Sequence, residues 1–312
     1  MKRLIAIIIC GALVFALAAC KTTGLSVEPP NIDEIGITET PPPEPVPFTF
    51  TKDNMPVIDG STATIPLIEA VYSVLLGIPR NEAAEMVDTS GTNMAYYGLR
   101  NESSDILLVY SPSDNINLDR FEMAPIGRDG LVFLVNTKNP VDSLTHDQIV
   151  SIYSGETRNW KDIGGDDAKI TAFMRPEQSG SQTMMDELVM KGIPMAPFEL
   201  DAVKRDLVIS SMGMLIESVA IFDATAPAIG YNVYYFVTQM EPNENIHLLA
   251  IDGVEASIET ISDGSYPFVS DFYAVIRKDT PENSPARILF NWIQSPEGQN
   301  LIRHEGYATA SG

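Results

Sequence analysis

The sequence predicts an α/β fold built on mainly parallel sheets, and three observations predict it. Short apolar runs of strand length alternate with stretches whose apolar residues recur at helical spacing. The helical stretches carry legible starts and stops. The chain has 312 residues, 45% of them hydrophobic. That is enough for roughly two globular domains with filled cores, and it argues against wholesale disorder. Alternating strands and helices bury their apolar faces by laying helices on sheets.

The first segment reads as an address. Lys2 and Arg3 form a positive start, Leu4 to Leu17 is apolar, and Leu17-Ala18-Ala19-Cys20 follows. Small residues before a cut fit an export signal. A Cys directly after them resembles the lipobox of bacterial lipoproteins, in which the thiol, here Cys20, is lipidated. The apolar run is shorter than the roughly 20 residues that span a membrane. Residues 1–19 are therefore expected to be a signal peptide, and the mature protein extracytoplasmic and lipid-anchored at the cell membrane or its periplasmic face. Residues 20–55 read as a linker. Glu28-Pro29-Pro30 and the run Pro41-Pro42-Pro43-Glu44-Pro45-Val46-Pro47 favour extended polyproline II backbone.

From Pro56 the folded body begins. Ile106–Tyr110 and Leu131–Val135 read as buried strands. Lys169–Met174, Ile229–Val233, Ile246–Ile251 and Phe272–Ile276 follow. Between them, Thr145 with Gln148 three residues on forms a capping box, and Gly155 can end that helix. Ser284-Pro285 starts a helix with Ile288, Leu289, Trp292 and Ile293 on one face. Ser295-Pro296 starts another that ends near Gly306. Proline suits the first helical turn in both.

Composition removes several functions. Twenty Lys+Arg against 42 Asp+Glu give a net charge of −22, and phosphate backbones of nucleic acids need the opposite sign. Two Cys and three His cannot build a zinc finger, a disulfide scaffold or an iron–sulfur cluster. His146, His247 and His304 have no ligand spacing. Asp162-Ile163-Gly164-Gly165-Asp166-Asp167 lacks the alternation of a calcium loop. No cofactor or metal is expected.

Three segments share one character. Asp59-Gly60-Ser61-Thr62-Ala63-Thr64-Ile65-Pro66 leads into an apolar helical pattern. Asp88-Thr89-Ser90-Gly91-Thr92 leads into another. Arg175-Pro176-Glu177-Gln178-Ser179-Gly180-Ser181 leads into a third. Each is a glycine- and hydroxyl-bearing loop at a helix start, where backbone N–H groups are unpaired and the helix dipole is positive. Converging, they and Arg175 would hold a tetrahedral oxyanion. Each loop alone is also an ordinary helix cap.

The body from about Pro56 to Tyr307 resembles the phosphate-binding proteins of bacterial phosphate ABC importers (PstS-type), in the type II periplasmic-binding-protein superfamily. The loops carry that resemblance. So do Leu144-Thr145, Ile152-Tyr153-Ser154-Gly155, Asn159-Trp160-Lys161-Asp162-Ile163-Gly164-Gly165, Gly264-Ser265-Tyr266-Pro267-Phe268 and Ser295-Pro296-Glu297-Gly298-Gln299. The resemblance implies two lobes, each a mainly parallel sheet flanked by helices, with the hinge crossed twice. Lobe one would be 56–131 with 235–312, and lobe two the inserted 132–234. It implies a phosphate site of Thr64, Ile65, Thr89, Ser90, Arg175, Ser179, Gly180 and Ser181, with Tyr110, Ser111 and Asp59 as additional candidates.

One departure stands out. Tyr110 occupies the position where the family often carries a carboxylate that accepts a proton from phosphate. The implied function is a solute-binding protein, a monomer and not an enzyme, that hands phosphate to permease and ATPase subunits on separate chains. The alternatives are another oxyanion (sulfate, molybdate or tungstate), a phosphate sensor, and a secreted phosphoester hydrolase using Ser179 or Ser181.

Overall fold

The structure, a computed structural model, describes residues 48–196, 207–221 and 223–309. The signal peptide 1–19, Cys20 and the proline-rich stretch to residue 47 lie outside the described residues. The last part of the expected linker does not behave as one. Phe50 is buried, Phe48 packs edge-on against it at 4.9 Å, and Met55 joins the core. A phenylalanine such as Phe50, so close to the body, gains more by burial than by extension.

The chain runs through β1 (Ile58–Gly60), α1 (Ile65–Leu76), α2 (Arg80–Ala84), α3 (Thr92–Arg100) and β2 (Ile106–Tyr110). Next come β3 (Phe121–Asn136), β4 (Ser143–Leu144), α4 (His146–Tyr153), β5 (Thr171–Ala172) and α5 (Gly180–Met184). Then follow α6 (Met212–Ala220), β6 (Ala228–Val233), β7 (Ile246–Leu248), β8 (Ala250–Ile251), α7 (Ile258–Ser262), β9 (Val269–Arg277), α8 (Pro285–Gln294) and α9 (Pro296–His304). The expected caps form. Thr145 and Gln148 make a reciprocal box, and the Ser284 and Ser295 hydroxyls accept N–H bonds at the starts of α8 and α9. Gly155 and Gly306 adopt the positive φ that lets a chain leave a helix.

The fold is a two-lobed α/β architecture. Strand order is β1-β2-β9-β3-β6-β5, with β7 beside β3. The expected parallel pairing occurs at β1·β2, β5·β6 and the separate pair β4·β8. Along β3 and β9 the neighbours run antiparallel. The reason lies in β3. It has 16 residues, about 50 Å at the usual rise, and serves both halves of the sheet. It pairs with β9 from Phe121 to Gly130, then with β6 from Leu131 onward. Ile246–Ile251, placed in lobe one from the sequence, pairs instead with the second half of β3 and with β4.

Leu131–Val135 is wholly buried, and Phe133 meets Tyr153, Tyr231 and Phe268 within 6.1 Å. A fully buried side chain of this kind contributes about 1.5–3 kcal/mol. The strand that crosses the molecule is thus also one of its best-packed parts. Among the described residues, no helix is long and apolar enough to cross a membrane.

Candidate functional site

A cavity of about 260 Å³ opens where the three loops meet. The first loop contributes Ser61, Thr62 and Ala63. Here a single 3₁₀ turn, Thr62–Thr64, precedes α1. That turn sets Thr64 and Ile65 behind the cavity wall. Thr64 is fully buried, and its hydroxyl donates to the Leu108 carbonyl at 2.6 Å and the Ser61 carbonyl at 2.9 Å. The Ile65 amide donates to the Thr62 carbonyl. Thr64 and Ile65 therefore do not line the cavity; Ser61–Ala63 take their place.

The second loop contributes Ser90, Gly91 and Thr92. Gly91 holds φ +86°, ahead of α3. Thr89 stays outside the cavity wall. Asp59 is buried behind the loop, accepting the Ser90 amide at 2.8 Å and the Ser90 hydroxyl at 2.5 Å. It anchors the loop from behind the cavity wall. The Thr92 hydroxyl meets that of Ser61 at 2.9 Å, which ties the first two loops together.

The third loop contributes Arg175, Pro176, Gln178, Ser179, Gly180 and Ser181. Its contact with the second is close. A Cβ at Gly180 would lie 2.8 Å from Thr92 Oγ1 and 3.2 Å from Tyr110 Cβ, so a larger residue there would have to displace the Thr92 side chain. Ser179 caps α5 by accepting the Gln182 amide. Arg175 is 6% exposed. Its guanidinium donates to the Ile209 carbonyl at 2.6 Å and to the Ser181 hydroxyl at 3.3 Å. Its backbone amide donates to the Tyr231 hydroxyl at 3.0 Å. Burial lowers the Arg175 pKa to about 10, still far above neutrality, so the group stays charged. No carboxylate among the described residues pairs with it.

The sequence reading missed Ser210 and Met212, which line the cavity at the start of α6. Ser211 caps that helix by accepting the Met214 amide. The hydroxyl pair before an apolar run was the available signal. Tyr110 does line the cavity, but its hydroxyl points away, donating to the buried Asp129 at 2.6 Å. Ser111 stands off the cavity and hydrogen-bonds the Tyr273 side chain. No Asp, Glu or His lines the cavity among the described residues. His146 and His247 are spent on the carbonyls of Val189 and Val141. The cavity therefore offers hydroxyl and amide donors around one positive charge, and among the described residues no Asp, Glu or His of its wall stands beside Ser179 or Ser181.

A family model described as a PBP superfamily domain matches residues 57–297. Among curated relatives, the phosphate-binding protein PstS of Borreliella burgdorferi is 24% identical over 82% of this chain and 91% of that protein. PstS of Bacillus subtilis is 23% identical over 80% and 79%. Among solved structures, an ABC-type phosphate transport receptor from Vibrio cholerae superposes with TM-score 0.60 at 22% identity, covering 81% of this chain and 98% of that one. PstS from Borrelia burgdorferi superposes with TM-score 0.51 at 21% identity, over 82% and 98%.

Proposed function

The chain belongs to the PBP superfamily, and from that premise we propose that it is an extracytoplasmic solute-binding protein that captures inorganic phosphate. The observation that carries this reading is Arg175. A guanidinium buried to this degree without a carboxylate is costly unless an anion completes it. The loops around it supply only hydrogen-bond donors suited to an oxyanion. The names of the relatives point to the same ligand.

Capture on this reading is local rather than long-range. A chain of net charge −22 repels a divalent anion, and screening over about 8 Å at physiological salt weakens that repulsion. Affinity then comes from preorganised donors, each charge-assisted bond contributing about 1.5–3 kcal/mol. The site residues we propose are Ser61, Thr62, Ala63, Ser90, Gly91, Thr92, Arg175, Ser179, Gly180, Ser181 and Ser210. No chemical step is involved.

We further place crossings between the lobes at residues 131 and 235, with the β7–β8 segment returning to pair on the side of lobe two before β9, and closure as a hinge motion. Cys20 would tether the body to the membrane, and separate permease and ATPase chains would receive the phosphate. One observation favours a second ligand class. With Tyr110 turned away and no carboxylate in the cavity wall among the described residues, no wall group sets a fully ionised anion such as sulfate apart from phosphate. Calorimetric titration with phosphate, sulfate, molybdate and tungstate tests both readings. Phosphate binding alone supports the first, tight sulfate binding the second, and no binding of any anion refutes both.

A further inference from the structure

Asp129 is a carboxylate with 2% exposure and no cation beside it among the described residues. It stands where β3 changes partners: Gly130 pairs with Val269 of β9, and Leu131 with Val233 of β6. Three chain segments donate to it. The Tyr110 hydroxyl reaches Oδ2 at 2.6 Å, and the amides of Gly130 and Tyr235 reach Oδ1 at 2.8 and 3.1 Å. The titratable groups facing it are the phenols of Tyr110, Tyr234, Tyr235 and Tyr307.

Two tracks run from this carboxylate to the cavity. Tyr110 lines the cavity, and its amide donates to the Ser61 hydroxyl at 3.2 Å. Tyr235 follows β6, where the chain crosses back. Its ring stacks on Tyr307 at 3.6 Å, and the Tyr307 hydroxyl donates to the Ala63 carbonyl at 2.8 Å. Ser61 and Ala63 belong to the same cavity wall. A buried charge without a counter-ion is unfavourable unless its hydrogen bonds are satisfied. Here those bonds come from two crossings of the hinge at once, at Gly130 and at Tyr235.

We propose that Asp129 is a positioning residue that links the hinge to the cavity wall, so that anion capture and lobe rotation are energetically coupled. The proposal rests on the anion-receptor reading above. The test uses the full chain, titrated calorimetrically with inorganic phosphate, and melted without it. Wild type, Asp129→Asn, Tyr110→Phe and the double variant are compared. Each single change is expected to weaken phosphate binding about tenfold, within the usual range of coupling between sites. The double variant should be no weaker than the weaker single, because both changes break one link.

A purely structural Asp129 would move the unfolding temperature and leave phosphate affinity where it was; that result, or losses that multiply in the double variant, overturns the proposal. If Asp129→Asn does not fold, Tyr110→Phe decides alone: a tenfold loss supports the link, and unchanged affinity overturns it. A wild-type chain that binds no phosphate overturns the receptor reading and the link with it, whereas wild-type binding with unaffected variants overturns the link only.

Discussion

Two buried charges sit in this molecule in opposite situations. Arg175 lines a cavity whose wall is rich in hydroxyl and amide donors. Asp129, at the crossing of the lobes, is sealed and takes three hydrogen bonds from the protein itself. Burial disfavours the charged form of each, lowering the Arg175 pKa to about 10 and raising that of Asp129 to about 6. The difference is where compensation comes from. Asp129 is completed by its own chain; on the proposed reading Arg175 is completed by an anion. On the readings proposed above, Asp129 ties the hinge to the cavity wall and Arg175 meets the ligand.

The largest effect should come from Arg175→Ala. Loss of the charged partner of a buried anion costs about 3–5 kcal/mol, so phosphate affinity measured by calorimetry should fall at least 100-fold. The phosphate-free unfolding temperature should hold or rise, because an uncompensated charge is gone. A fall in stability with intact affinity would reverse the two roles.

Asp129→Asn should next reveal a pH dependence of stability. The folded pKa of about 6 lies above the unfolded 3.8. Between those values the folded state binds more protons, so stability is greatest below the unfolded pKa and declines as pH rises to the folded one. The decline attributable to this group is on the order of 3 kcal/mol. Denaturant titrations from pH 4 to 7 should show it in wild type and not in Asp129→Asn. Equal slopes in the two chains would mean the carboxylate is not buried as described.

Gly180→Ala sharpens the geometry of the cavity. Its Cβ would sit 2.8 Å from Thr92 Oγ1, and relieving such a clash costs about 1–3 kcal/mol. Phosphate binding should weaken by roughly tenfold or more, and unchanged binding would show that the second and third loops are farther apart. The smallest effect is Thr64→Val. Losing the hydroxyl bond to the Leu108 carbonyl should cost about 1 kcal/mol of stability while calorimetry shows phosphate affinity unchanged. A large affinity loss would restore Thr64 to the site.

What the sequence made legible was local. Ile106–Tyr110 and Ile229–Val233 announced themselves by composition, and the Thr145–Gln148 box and the Ser-Pro helix starts by spacing. The start of β3 was hidden, because Pro125 and Gly127 interrupt its pattern at a shift in register. The three loops were readable one by one, but their meeting was supplied by family resemblance. The exchange of Thr64 and Ile65 for Ser61–Ala63 was not readable, since one 3₁₀ turn leaves no periodic trace. Nor was the bond from Tyr110 to Asp129. It depends on β9, far along the chain, lying between β2 and β3. Ser210 was missed because it reaches the cavity from a segment with no glycine-rich loop like the other three.

The account turns on an external anion completing Arg175. Equilibrium dialysis of radiolabelled phosphate against wild type and Arg175→Ala, at low and at high salt, tests that most directly. The prediction is saturable one-to-one binding to wild type that changes little with salt and is lost in the variant. Retention of wild-type binding by Arg175→Ala would contradict it.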